Sequence, residues 1–541
     1  MILGSIAGVY GLVFDGWVRS FLRYRRHLVE EAGPYSFEAF GIWVIWCVSF
    51  GMLSTCCGHF ITPMSDGSGI PTMRGLFAGI FQNPDDLLSF RTLVAKTMGT
   101  LISSSSGLSV GRGGPFTQIM AMIGYLMGKI PLFRRANFGQ ANYNFIRAAA
   151  GVTSGFGSPV GAVLFSIEAT AKHYEIRCLW EGIICSSFAL LVIRVVPLLK
   201  SELLFEKTQF TGFELDIEML AFVFLGVLSG LAAGLYCKMM VWMRQAQLAL
   251  ALFTKFGLTQ LSLKRRAVHV VSICVITATI TFSVGVLRIS DRLMVNELFR
   301  DQNLSFPQWK HISDFPQTAL VTYVLLKFGI TLLPCGAPIS CGVFGPIFTT
   351  GAALGRLYGE ILLRYWSPAQ SPATYAVVGA AGFAGSVTQT VSTAVIVFEL
   401  TGQLHHMLPV MISCIVAYFV SCMITPSFYD IAAEWADLNA VSYDVNEYIL
   451  GQKLAKDNMC PVPVVFTRET TYDEAIQALS TYKTEGYFPL CDTKDSRLLL
   501  GCIRRYDLEI GIARFIAVNR PRVRYIPYCI QKVNTDWIIS C

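Results

Sequence analysis

Gly111-Arg112-Gly113-Gly114-Pro115 recurs as Gly342-Val343-Phe344-Gly345-Pro346, 231 positions later, and the same offset holds well downstream. It aligns Ala121, Gly124, Leu126 and Gly128 with Ala352, Gly355, Leu357 and Gly359. It then aligns Ala150 and Gly151 with Ala381 and Gly382, and finally Glu168 and Thr170 with Glu399 and Thr401. One offset kept without gaps over about 60 residues argues for an internal duplication. A third segment, Gly67-Ser68-Gly69-Ile70-Pro71, has the same Gly-x-x-x-Pro form. Proline suits the first turn of a helix, and the glycines before it let the backbone bend close to a ligand. Each segment therefore reads as a helix N-terminus, whose N–H groups and partial positive charge favour an anion without a full cation. Taken singly, each copy is equally a structural helix start; the shared offset singles out the pair. Three converging ends would hold a dehydrated anion loosely enough to let it leave, which is what conduction requires.

Composition agrees with a membrane core. Of 541 residues 53% are hydrophobic and only 15% charged, against about 25% charged in ordinary globular domains, and mean hydropathy is +0.52. Apolar stretches fall near 38–58, 92–102, 115–130, 144–169, 179–199, 217–243, 267–287, 318–334, 346–363, 375–398 and 407–424. A vertical span needs about 20 apolar residues. Several stretches are shorter or interrupted by Gly, Pro and Ser, and broken helices are tolerated at membrane depth only where their backbone is buried or lines a wet cavity. That pattern belongs to a transporter or channel. Duplicated membrane proteins often carry their ion site where interrupted elements of two inverted halves meet. The stretch Met1 to Val13, closed by Asp15 and followed by Arg19, Arg23, Arg25 and Arg26, lacks the charge order of a signal peptide. It reads as a mature membrane helix, the first element after a shortened N-terminus.

Other chemistries find no support. The net charge of +7 is spread without a long basic run, so nucleic acid is not indicated. The 16 cysteines lie scattered through apolar stretches and read as packing thiols. No histidine has metal-ligand spacing and no phosphate-binding Gly-Lys-Ser/Thr segment occurs, so no enzyme is expected. Asn303-Leu304-Ser305 is a glycosylation sequon in a polar loop. Beyond Pro426 the chain becomes mixed and charged. Thr471 to Tyr482 reads as an amphipathic helix, Phe488 to Leu490 and Leu498 to Ile503 as strands.

The three Gly-x-x-x-Pro segments match, in order, the filter segments of the CLC family of chloride channels and chloride/proton exchangers. Phe165-Ser166-Ile167-Glu168, Gly355-Arg356-Leu357-Tyr358-Gly359-Glu360, the run Val391 to Gly402, and Pro426-Ser427-Phe428-Tyr429-Asp430 resemble the animal plasma-membrane branch. The resemblance implies an all-α polytopic fold of two inverted repeats with broken helices, a membrane domain over 1–440 with halves at roughly 1–200 and 215–430, a linker at 441–455, and a cytosolic CBS-like region at 456–541. It also implies a homodimer with one chloride pore per subunit.

Residue by residue, the resemblance makes Ser68 the hydroxyl facing the central chloride and Tyr429 the phenol closing that site from inside. Val343 and Phe344 become backbone donors to the same ion. Arg112, Gly113 and Gly114 form the rim of an outer site, and Lys96 and Arg112 contribute to pore potential. The rival readings are a turn serine, an interfacial tyrosine and a snorkelling lysine. Two departures bear on mechanism. Most members carry a gating and proton-carrying glutamate where this chain has Gly113, and exchangers carry an inner glutamate where it has Ala169. Glu168 and Glu399 are expected to secure helix packing or an ion pair. The expected function is a passive chloride channel needing no cofactor. The alternatives are a chloride/proton exchanger and a non-conducting subunit of a heterodimer. An accessory subunit is compatible with either, and an adenine nucleotide at the CBS-like region would find only one repeat of the usual pair.

Overall fold

The computed structural model of the chain describes residues 1–33, 35–77, 84–130, 157–170, 177–195, 218–253, 263–302, 304–313, 315–366, 370–402, 406–436, 464–467, 469–482, 486–493 and 498–518. Two compact units divide at Val441 and Ser442. The first is helical: α1 Ile2–Glu31, α2 Phe37–Cys56, α3 Ile70–Phe77, α4 Pro84–Leu87, α5 Phe90–Ser106, α6 Gly113–Gly128, α7 Pro159–Thr170 and α8 Arg177–Val195 precede the middle of the chain. There follow α9 Glu218–Phe253, α10 Leu263–Ser283, α11 Asp291–Leu298, α12 Pro316–Leu332, α13 Phe344–Tyr365, α14 Pro372–Thr388, α15 Ser392–Thr401, α16 Met407–Cys422 and α17 Phe428–Trp435. Among the described residues three stretches, Phe37–Ile61, Glu218–Gln245 and Arg266–Ser283, are long and apolar enough to cross a membrane; Pro159–Thr170, Ser392–Thr401 and Met407–Cys422 are apolar but shorter.

Two expectations about helix limits are corrected. α1 runs through Asp15 and the arginines instead of closing there. Asp15 is tolerated because it is buried against Arg112 and Arg292, and Arg19 Nε returns to the Asp15 carbonyl at 3.2 Å. The stretch 375–398 is two helices: Gln389 takes a left-handed conformation (φ 50°) that ends α14, and its Nε2 donates to the Thr425 carbonyl at 2.8 Å. Hydropathy is blind to that break, since apolar residues continue on both sides of it.

Close helix contacts explain much of the glycine usage. A Cβ at Gly355 would lie 2.0 Å from the Tyr375 carbonyl oxygen, and one at Gly379 2.6 Å from the Gly355 Cα. α13 and α14 therefore pack backbone to backbone, as small residues allow in membranes. Among the described cysteines, Cys47, Cys185, Cys237, Cys274, Cys335, Cys341, Cys414 and Cys491 are buried.

The halves meet through reciprocal contacts that obey the 231-residue offset. Glu168, near the end of α7, accepts N–H bonds from Val391 (2.8 Å) and Ser392 (2.9 Å) at the start of α15. Glu399, near the end of α15, accepts from Val160 (3.1 Å) and Gly161 (2.8 Å) at the start of α7. Each carboxylate satisfies orphan donors at the other helix's positive end. The packing role expected for both glutamates is thus observed, as N-terminal capping.

The second unit holds α18 Tyr472–Thr481, β1 Tyr487–Cys491, β2 Leu499–Arg504 and α19 Arg505–Val518. β1 and β2 pair antiparallel, and Phe466 bridges Leu490 in parallel. Thr471 and Glu474 form a capping box that starts α18. The expected helix and both strands are present within a residue or two. The sequon asparagine, the linker 441–455, and Ala150 and Gly151 of the repeat lie outside the described residues.

Candidate anion site

The three Gly-x-x-x-Pro segments converge. α3 begins at Ile70, α6 at Gly113 and α13 at Phe344, so each segment delivers a helix N-terminus. Backbone bonds knit them together. Gly111 and Gly342 exchange N–H···O bonds of 2.6 and 2.8 Å, Gly67 N donates to Ile339 O at 2.9 Å, and Cys341 N donates to Gly67 O at 3.3 Å. A Cβ at Gly111 would lie 3.1 Å from Pro346 Cδ, and one at Gly342 3.1 Å from Pro115 Cδ. Glycine at both positions lets the two repeat copies come this close without crowding. In the first segment Gly67 and Gly69 sit at φ 71° and 83°, where side chains are strained.

Ser68, between those glycines, buries a hydroxyl that has no hydrogen-bond partner among the described residues. It lies against the opening turn of α6, since a Cβ at Gly114 would be 2.2 Å from Ser68 Oγ. The first N–H groups of a helix have no intrahelical acceptor, and Pro71, Pro115 and Pro346 supply no N–H at all. What gathers there is a set of neutral donors around the ends of α3, α6 and α13. Ile70, Val343 and Phe344 are buried in the core that also contains Tyr429.

Tyr429 opens α17, is 1% exposed, and is joined to the third segment by Phe165. That ring stands 5.6 Å from Phe344 and 6.4 Å from Tyr429, edge-on to both. Ser427 caps α17 by accepting from Asp430 N at 3.1 Å. Lys96, completely buried on α5, donates to the Gly67 carbonyl at 2.7 Å. Its charge is spent on the loop that holds Ser68, so it positions the first segment as well as charging it. Arg112 pairs with Asp15, which also faces Arg292 at 3.3 Å. Gly113 is the first residue of α6 and adds no side chain to the site. Ala169, near the end of α7, offers its carbonyl to Arg74 Nε at 2.5 Å.

A cavity of about 740 Å³ reaches Gly111, Arg112, Phe344, Gly345 and Pro346. Eight basic side chains line it, Arg23, Arg26, Arg112 and Lys327 among them, against the acidic Asp15, Glu30 and Asp291. A cleft of one dominant sign concentrates counter-ions at its mouth.

The sequence matches the family described as voltage gated chloride channel over residues 50–422. The chain belongs to that family. It is 28% identical to a chloride channel protein of Torpedo marmorata over 96% of this chain and 68% of that one. It is 30% identical to chloride channel protein 1 of Homo sapiens over 92% of this chain and 53% of that one. The chain thus spans from about half to just over two-thirds of the length of these relatives. A crystal structure of a eukaryotic CLC transporter superposes with a TM-score of 0.73 at 25% identity, covering 97% of this chain and 89% of that one. A slow cyanobacterial chloride/proton antiporter shares the fold, with a TM-score of 0.65 at 19% identity over 80% of this chain and 96% of that one. The protein is accordingly a helical, integral membrane CLC protein.

Of the residues that sequence reasoning grouped, the three segments meet through backbone bonds, Ser68 lies against α6, and Tyr429 reaches Phe344 through Phe165. It missed Arg74 and Asp430, which form an ion pair beside Tyr429. The available signal was an arginine in the last turn of a short apolar helix, two residues beyond Thr72, and an aspartate directly after Tyr429.

Proposed function

We propose that this CLC protein is a passive chloride channel, a plasma-membrane homodimer with one pore per subunit, built of two inverted repeats and a cytosolic CBS-like region. The observation that carries the reading is the buried Ser68 hydroxyl, without a partner among the described residues, held against the N-terminus of α6, whose first residue, Gly113, brings no carboxylate of its own. Chloride sheds water into Ser68, the backbone N–H groups opening α6 and α13 with Val343 and Phe344 among them, and Tyr429. It then moves down its electrochemical gradient. Proton carriage through membrane needs ionisable side chains, and Gly113 and Ala169 are neither. Glu168 and Glu399 are engaged in helix capping. No cofactor is invoked; chloride is the transported ion, and an accessory subunit is compatible with the scheme.

The reversal potential of the purified protein in a planar bilayer tests this directly. A potential at the chloride equilibrium value, indifferent to an added proton gradient, is expected. A shift with the proton gradient would mean coupled exchange, and absence of current from the protein alone would favour a non-conducting subunit.

A further inference from the structure

Arg74 occupies an unusual crossing point. It lies in the last turn of α3, whose N-terminal segment carries Ser68. Its Nε donates to the Ala169 carbonyl near the end of α7 at 2.5 Å. Its Nη1 pairs with Asp430 in the first turn of α17, and its guanidinium stands 5.7 Å from the centre of the Tyr429 ring. One side chain therefore ties together the helix behind Ser68, the position where exchangers would need their inner carboxylate, and the helix that presents Tyr429. Asp430 is held for this contact, since Ser427 Oγ donates to its other oxygen at 2.5 Å.

The pair is partly open to water: the Arg74 and Asp430 side chains are 21% and 54% exposed. Exposed ion pairs are weak and break readily. α17 is only eight residues long. The chain leading into it is anchored by Gln389 at the Thr425 carbonyl. Phe428, Tyr429, Ile431 and Ala433 are buried, which leaves Asp430 on the open side of the helix, directly next to Tyr429.

We propose that Arg74 is a positioning residue for conduction, a latch whose pairing with Asp430 holds α17 against α3 and keeps the Tyr429 phenol in the anion path. Release of the pair lets α17 lean away and widens the inner constriction. The proposal rests on the channel reading above.

Single-channel recording of Asp430→Asn and Arg74→Gln tests it. The first substitution keeps the size of the side chain and an acceptor for Ser427 while removing the charge, and the position is exposed, so folding is not threatened. Open probability is expected to rise about two- to fivefold in both variants, with the reversal potential still at the chloride equilibrium value. Arg74→Lys, which keeps the charge, is expected to restore the original open probability. A purely structural clamp would lower the number of channels and leave open probability unaltered; that result overturns the latch. So does an unsubstituted chain already open for nearly all of the record. If Arg74→Gln fails to reach the membrane, Asp430→Asn alone decides. Absence of current from the unsubstituted chain would defeat the channel reading itself, a different outcome from current that ignores both substitutions.

Discussion

Ser68 buries a hydroxyl that nothing among the described residues satisfies, and an unsatisfied buried donor normally costs about 1–3 kcal/mol. An anion that accepts from it recovers that cost. Ser68→Ala is therefore expected to weaken chloride block of a competing permeant anion by about tenfold, the equivalent of about 1.4 kcal/mol for one charge-assisted bond. Competition between chloride and nitrate in single-channel conductance measures it. Gly113→Glu should introduce gating that depends on voltage and external pH, because a carboxylate at the first residue of α6 would compete with chloride for the donors there. An unchanged current between pH 5 and pH 9 would contradict the placement of Gly113. The three Gly-x-x-x-Pro segments were readable because a helix start fixes both residue type and local spacing. The target of Lys96 was not. A buried lysine announces that it has a partner, but the Gly67 carbonyl is a backbone group 29 positions away and leaves no mark on the sequence.

At the scale of elements, Glu168 and Glu399 cap each other's helices with matching geometry. Replacing either by Ala should cost about 0.5–2 kcal/mol, the usual cost of losing a cap. The two losses should be similar, read as shifts in the thermal midpoint of the detergent-solubilised protein. A large disparity would show that only one capping contact matters. α5 is closed in another way: Gly107 takes φ 93°, and Arg25 Nη1, lying where a side chain at Gly107 would go, donates to the Ser106 carbonyl at 3.2 Å. Helix starts were legible because glycine and proline mark them. The extension of α1 was not, because acidic and basic residues read as an end unless their distant partners are known. Asp15 meets Arg112 and Arg292 only in three dimensions. The break at Gln389 was hidden for a related reason, since a left-handed glutamine carries no signature of its own.

For the whole molecule, the offset of 231 residues was enough to anticipate that distant segments would assemble into one site, and the segments do exchange backbone bonds. What the offset could not supply was the basic cavity, since its arginines come from α1 and its neighbours by tertiary packing. If that cavity concentrates chloride, Arg23→Gln with Arg26→Gln, both at exposed positions, should reduce unitary conductance at ~10 mM chloride by about a third to a half. The difference should vanish at ~1 M salt, where the screening length falls to about 3 Å. A reduction that persists at high salt would point to distortion of α1 instead of a field effect. The helix and strands of the second unit were readable from alternation and capping signals alone, because their short-range patterns suffice.

Gly111 and Gly342 face each other as copies of one another. If both halves descend from a single segment, that contact began as a residue touching itself. A side chain there would have arrived twice, each copy pressing on the facing segment at 3.0–3.3 Å, tighter than ordinary contact. The duplication would then have inherited glycine at the place where its two halves meet. The neighbours have diverged, Arg112 against Val343 and Gly113 against Phe344, while the self-facing pair has stayed glycine on both sides.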